Sequence, residues 1–423
     1  MNVAFFPSVM ESIYHTNTKD IIFLPFSVNG TQEYEWARKI FKNLIGLNKK
    51  ETKKHYSEFE IDDLIKYTNL TDVCKKYRIN AIIPPLRSSK YAETWAIQNN
   101  ITLISASFRT QRNFENKIWF DKFLKKYALP KPKMTSHFPS VMQTPQSEGG
   151  EGTFFINKAS ELKDIIEQKL IKKNAKLLMR EHIKGTTYGI TIFIDPSSII
   201  LSALRKQCFG SQNGFQKLFN GIQWMKTNNF NKETIKSINN VFIKLGKALH
   251  QNKFLGFANI DFIIDGKGKI FIIECNPRLS NATFQIAAYP ELISGIKIFD
   301  VYVKSLTKIK KWTDPKIYEI PNTIFQGSTI NIKIHNVPYR LQKTFKNGVY
   351  AYYNSSIKYK TADIYHLSNK HREIVFYSEY KENEVVNKKT EIAELFMNFP
   401  VYNNEGTINK KAKKILNFFT FST

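Results

Sequence analysis

The chain is 423 residues long, 42% hydrophobic and 14% aromatic, which is ample for packed cores in roughly three domains. Its 63 basic and 36 acidic residues leave a net charge of +27, but the lysines are spread along a chain rich in Asn, Ile, Phe and Tyr, so compositional bias explains the charge better than nucleic-acid binding does. No apolar run reaches the ~18 residues of a membrane span, no basic leader opens the chain, and Cys74, Cys208 and Cys275 form neither a disulfide framework nor a zinc spacing; this points away from a membrane and predicts a cytoplasmic protein.

From the start to about Glu115, short apolar runs at 3–6, 21–26, 81–84 and 101–106 alternate with helical stretches at 33–44 and 90–99. That alternation predicts a small, mostly parallel α/β domain over 1–115. Pro84, Pro85, Arg87, Ser88 and Ser89 fall at the carboxyl end of a strand, the side on which open α/β sheets take ligands. No G-x-G-x-x-G follows these strands, so a dinucleotide site is not expected.

A helix opens at 115–120 and ends before Leu129-Pro130-Lys131-Pro132. A strand at 138–143 leads to Ser147-Glu148-Gly149-Gly150-Glu151-Gly152-Thr153, whose glycines free backbone N–H groups to wrap phosphates, and then to a strand at 154–157. The apolar strand 177–183 runs into a loop with Gly185, strands follow at 191–194 and 198–205, and 232–252 is an amphipathic helix with Ile238, Phe242, Leu245 and Leu249 on its apolar face. Further on, 291–306 predicts an apolar helix and 308–315 a linker. Beyond it lies a small β-rich domain with a hairpin turn at Asn347-Gly348 and a helix near the end.

The stretch 256–280 carries the clearest chemistry. Two apolar runs flank Asp265-Gly266-Lys267-Gly268, whose paired glycines suit a hairpin turn. Strand alternation puts Glu274 and Asn276 on one face and lets Asp261 join them across the hairpin. Such a set of oxygen ligands suits Mg2+, with Mn2+ as an alternative, the remaining ligands coming from water and nucleotide phosphates. Arg278 stands two residues on, a guanidinium fork for a phosphate or carboxylate. Cys275, between two ligand positions, reads as a small apolar residue facing the other way.

The series Asn259-Ile260-Asp261-Phe262, the glycine turn, and Ile273-Glu274-Cys275-Asn276-Pro277-Arg278 resembles the metal-binding hairpin of the ATP-grasp superfamily. The resemblance covers about 81–306 and implies an α/β and α+β architecture: an N-terminal parallel α/β (pre-ATP-grasp) domain at 1–115, a central ATP-grasp fold at 116–307 and a small C-terminal β-rich domain at 316–423. It implies that Asp261, Glu274 and Asn276 hold Mg2+ on ATP and that Arg278 contacts phosphate or substrate. By the same resemblance Lys117 meets an ATP phosphate, the loop with Gly149, Gly150 and Gly152 is a lid over the triphosphate, and Arg205 stabilises the transferring phosphoryl group. Glu181, His182 and Ile183 would line the adenine slot. Two positions depart from the family pattern: Gln143 stands where a second lysine is usual, and Thr187 where an acidic residue commonly meets the ribose. The implied activity is an ATP- and Mg2+-dependent, ADP-forming ligase joining a small carboxylate to an amine through an acyl phosphate. Alternatives are a bicarbonate-activating enzyme and a non-catalytic nucleotide-binding or nucleic-acid-associated protein. A homo-oligomer is compatible with either.

Overall fold

The computed structural model describes residues 1–6, 22–52, 54–55, 59–85, 87–147, 152–168, 170–171, 176–213, 216–307, 311–334, 337–353, 356–362, 372–386, 390–403 and 406–419. The fold is mixed α/β, with an N-terminal parallel sheet followed by a large, mostly antiparallel one. Five parallel strands run in the order Ile45–Leu47, Ile22–Val28, Asn2–Phe5, Ile79–Ile83, Thr102–Leu103. Because parallel strands need crossover connections, the apolar faces of the intervening helices close over this sheet: Leu64, Ile65, Val73, Ala92 and Trp95 share one core with Ala4, Phe26, Val28 and Ile82. The helix Lys90–Gln98 begins where Ser89 accepts a hydrogen bond from the Ala92 N–H at 2.9 Å. The helix expected at 33–44 is shorter, Gln32–Ala37, because the chain then turns and brings Phe41 edge-on to Phe5 at 5.8 Å.

Twelve strands form the second sheet. Its main path runs from Ile270–Asn276 and Gly256–Asp265 through Gly185–Asp195, Arg205–Asn213 and Gln216–Trp224 to Ser328–Ile334, Thr390–Met397, Glu373–Tyr377, Gly348–Tyr353 and Ser356–Thr361. Ser198–Leu201 pairs with Gly185–Asp195 on one side and with Lys316–Tyr318 on the other. The helix Lys232–Gln251 packs its predicted stripe, Ile238, Phe242, Leu245 and Leu249, against Ile192, Ile199 and Phe262 of this sheet. A third, separate sheet has three antiparallel strands, Thr153–Ile156, Ser140–Gln143 and Leu178–Glu181.

Two sequence expectations are corrected here. The stretch 291–306 is broken into a short 3-10 turn, Pro290–Ile293, and a helix, Ile298–Thr307, because Ser294 and Gly295 both take left-handed backbone angles (φ 56° and 73°). Asn347-Gly348 is not a hairpin turn either. The Asn347 side chain accepts from the Ser378 N–H at 2.8 Å and donates to its carbonyl at 2.9 Å, and Gly348 opens a strand whose partner is Ser356–Thr361. Among the described residues no helix is long and apolar enough to cross a membrane.

Candidate active site

The hairpin of Gly256–Asp265 and Ile270–Asn276 is shaped by its turn. Asp265 accepts from the N–H groups of Lys267 (2.9 Å) and Lys269 (2.8 Å), and Gly268 takes φ 79°, an angle that favours glycine. From the turn the strands pair as far as Phe262 opposite Ile272; a bulge between Asp261 and Phe262 then shifts the register and sets Asp261 opposite Glu274 and Asn259 opposite Asn276. Asn276 donates to Glu274 at 3.4 Å. Cys275 points into the apolar core, where burial first, and then the nearby carboxylates, push its thiol well above the usual range.

Two carboxylates this close cannot both ionise freely in a buried setting. Burial, the Glu274 charge and a hydrogen bond to Glu274 push Asp261 well above the usual carboxylate range, and Arg205 only partly offsets this. Burial also acts against the Glu274 charge, but Lys117, with hydrogen bonds from Asp261, Lys117 and Asn276, holds that carboxyl below its ordinary value. The pair therefore tends to share one proton, and a divalent cation is the natural replacement for it. Asp261, Glu274 and Asn276 fit such an ion: the donors are hard oxygens, and an amide completes a set that leaves positions for water or phosphate.

Lys117 reaches this hairpin from the first turn of the helix Lys117–Lys126, which starts where Asn116 accepts from the N–H groups of Ile118 and Trp119. Its Nζ stands 3.2 Å from a Glu274 oxygen and donates to the Ser147 carbonyl at 3.2 Å, so it ties the hairpin to the glycine loop. Gly152 lies at the end of that loop, where its carbonyl accepts from the Thr144 N–H at 2.9 Å; Gly149 and Gly150 lie outside the described residues.

Arg205 lies beneath the hairpin. It is only 4% exposed, donates to Thr191 Oγ1 at 2.9 Å and to Asn259 Oδ1 at 3.3 Å, and sits 5.7 Å from the Trp224 ring. Burial lowers its pKa to about 10, with Asp261 acting the other way, so it is charged at neutral pH. Arg278 approaches Glu115 at 3.5 Å, and Glu115 also accepts from Arg87 at 2.9 Å. Beside Arg278 a small cavity is lined by Pro84, Ile104, Gln111, Pro277 and Tyr302, at the carboxyl end of the parallel sheet where sequence placed a ligand surface.

Of the remaining predicted positions, Gln143 and Glu181 lie on the three-stranded sheet, His182 and Ile183 just beyond it, and Thr187 on the large sheet beside the hairpin. Gln143 is buried; it donates to Thr153 Oγ1 at 3.2 Å and accepts from Arg180. The Glu181 carboxylate accepts from the Lys133 N–H at 2.8 Å, so this side chain braces the loop 130–133. His182 meets Phe155 edge-on at 5.3 Å, Ile183 is half-buried in the connection beyond the strand, and Thr187 pairs with Ile263 beside the hairpin. Sequence reasoning missed two residues. Asn259 is a buried brace that donates to the Arg278 carbonyl at 2.7 Å. Arg180 is a buried cation, and its signal was present: it alternates with Leu178 on the inward face of its strand.

A parallel N-terminal sheet, a separate three-stranded sheet and a carboxylate hairpin facing it across a cleft define an ATP-grasp fold. Residues 114–282 match the ATP-grasp domain family, and solved structures similar to the chain share this fold. The biotin carboxylase domain of Hydrogenobacter thermophilus 2-oxoglutarate carboxylase, in complex with MgADP, ADP and bicarbonate, aligns with TM-score 0.62 at 12% identity over 94% of this chain and 86% of that one. Campylobacter jejuni biotin carboxylase, with a β,γ-ATP complex, aligns with TM-score 0.60 at 10% identity over 93% and 86%. An N5-carboxyaminoimidazole ribonucleotide synthetase in complex with ADP aligns with TM-score 0.56 at 9% identity over 98% and 95%. No curated protein matches the chain by sequence.

Proposed function

We propose that the chain is an ATP-dependent, ADP-forming ligase that activates a small carboxylate as an acyl phosphate and passes the acyl group to an amine, with domains at 1–115, 116–307 and 316–423. The observation that carries this reading is the Asp261–Glu274 pair, opposed on one hairpin and held against Lys117 at 3.2 Å. A carboxylate oxygen attacks the γ-phosphorus and ADP leaves; the amine then attacks the acyl carbon and phosphate leaves. Little covalent chemistry falls to the protein, so positioning and charge dominate.

Lys117 supplies a cation at the phosphate end of the cleft, and Arg205, fixed from below by Thr191 and Asn259, supplies another beneath the hairpin. Arg278, steadied through Glu115, faces the cavity in which a carboxylate would lie. Asp261, Glu274 and Asn276 would hold Mg2+, which when bound neutralises phosphate charge. Bicarbonate as the carboxylate is a second form of the same reaction, supported by the bicarbonate bound to the 2-oxoglutarate carboxylase domain.

The test is ADP release with Mg-ATP across a panel of small carboxylates, bicarbonate and amines. Release that requires both a carboxylate and an amine, and its loss by more than about 100-fold in a folded Glu274→Gln variant, is expected. Near-normal release by that variant removes the mechanism. Tight Mg-ATP binding without release under any pairing favours the binding-protein reading instead.

A further inference from the structure

Arg180 lies on the strand Leu178–Glu181 with its side chain turned inward and only 3% exposed. Its Nη2 donates to Gln143 Oε1, across the three-stranded sheet, and to the Ile273 carbonyl at 3.1 Å, the residue next to Glu274 on the hairpin. The guanidinium therefore bridges the three-stranded sheet and the hairpin. Both of these acceptors are neutral, and among the described residues no carboxylate stands within ion-pair distance of it. The two acids whose charge it feels, Asp121 and Glu274, each have a lysine of their own: Lys131 at 2.8 Å and Lys117 at 3.2 Å. Burial lowers its pKa only to about 10, so the cation persists at neutral pH.

A buried cation with no counter-ion is costly, and neutral acceptors offset that cost only in part. In a cleft that also holds Lys117 and the end of the glycine loop, the missing partner is an anion that arrives with the ligand. We propose that Arg180 is a phosphate-binding residue, receiving a phosphate of the bound nucleotide next to Gln143. The assignment rests on the nucleotide reading above. It also gives Gln143 a role: its amide oxygen holds the guanidinium in place, so Gln143 is a positioning residue and the charge comes from the neighbouring strand.

The experiment measures the affinity of the full chain for Mg-ATP, ADP and adenosine by calorimetry at fixed salt, in wild type, Arg180→Gln, Arg180→Lys and the double variant Arg180→Gln/Gln143→Lys. A lost charge-assisted hydrogen bond predicts that Arg180→Gln weakens ATP and ADP by about tenfold or more and leaves adenosine within about threefold. Arg180→Lys should recover part of the loss. The double variant, which returns a cation to the same space and keeps the charge on a foldable scaffold, should recover most of it. Undiminished ATP affinity in Arg180→Gln, or an equal loss for adenosine, overturns the role and leaves Arg180 as a strut between the walls. Absence of Mg-ATP binding by wild type removes the nucleotide reading itself, and the Arg180 role with it.

Discussion

Gly189 is the narrow point beneath the hairpin, and Gly189→Ala measures how tightly Arg205 is held. In the twelve-stranded sheet Gly189 pairs with Arg205 on one side and Asp261 on the other. A Cβ at Gly189 would stand 2.8 Å from Arg205 Nε and 3.0 Å from its Cζ, closer than carbon contacts allow, so the guanidinium must withdraw. Withdrawal strains or breaks its bonds to Thr191 and Asn259, at about 1.5–3 kcal/mol for each bond to a charged group. Against this, replacing glycine restricts the unfolded chain by about 0.4–1 kcal/mol, and part of the hydrogen bonding re-forms after a small shift. The net expectation is a loss of about 2–4 kcal/mol, read as a lower urea midpoint by tryptophan fluorescence. Since the methyl acts only by evicting Arg205, Gly189→Ala should cost less than about 0.5 kcal/mol when introduced into Arg205→Met. An equal loss in both backgrounds would show that the strand itself, and not the arginine, rejects the side chain.

Two other substitutions test the fold. Glu379 is held by burial at about 7, above the usual 4.5, with His55 and the Tyr377 hydroxyl opposing the shift; the folded state keeps its proton where the unfolded chain has lost it, so this residue removes stability as pH rises from about 4.5 to about 7. Glu379→Gln should therefore raise the melting temperature more at pH 8 than at pH 4.5, and a pH-independent shift would contradict the assignment. Phe262, fully buried next to Asp261, packs against Phe242 at 4.7 Å and Tyr188 at 5.8 Å; Phe262→Ala should cost about 3–5 kcal/mol in urea unfolding, and a loss under about 1 kcal/mol would mean that the core collapses to refill the space.

What could be read in the sequence was local. The hairpin itself was legible from strand alternation and the turn glycines, but counting back from the turn would set Asp261 opposite Ile273; the bulge between Asp261 and Phe262 that brings it opposite Glu274 has no sequence signal. The approach of Lys117 to that pair came from a family resemblance, since 157 residues of chain separate it from Glu274 and no periodicity spans such a gap. Gln143 looked like a missing charge for the same reason: its partner Arg180 is 37 residues away and meets it only through antiparallel pairing. Side-chain competition explains the rest. Asn347-Gly348 has the composition of a tight turn, yet the Asn347 amide is taken by the backbone of Ser378, and Ser294 adopts a left-handed angle that its residue type does not announce.

The twelve-stranded sheet has a mechanical consequence. One hydrogen-bonded ladder joins the carboxylate hairpin to Ser356–Thr361 near the far end of the chain, and where it narrows, at Gln223 opposite Ser328, Tyr402 clamps the seam through Thr329 and Gln223. The slab resists shear as a unit. Among the described residues the three-stranded sheet shares no ladder with it. Compliance is concentrated in the bonds between the two, such as Arg180 to the Ile273 carbonyl. Any separation of the small sheet from the hairpin works against such bonds and against the ties of Lys117 to Glu274 and Ser147, so its stiffness is set by a handful of side chains, with the large sheet as the anvil against which they close.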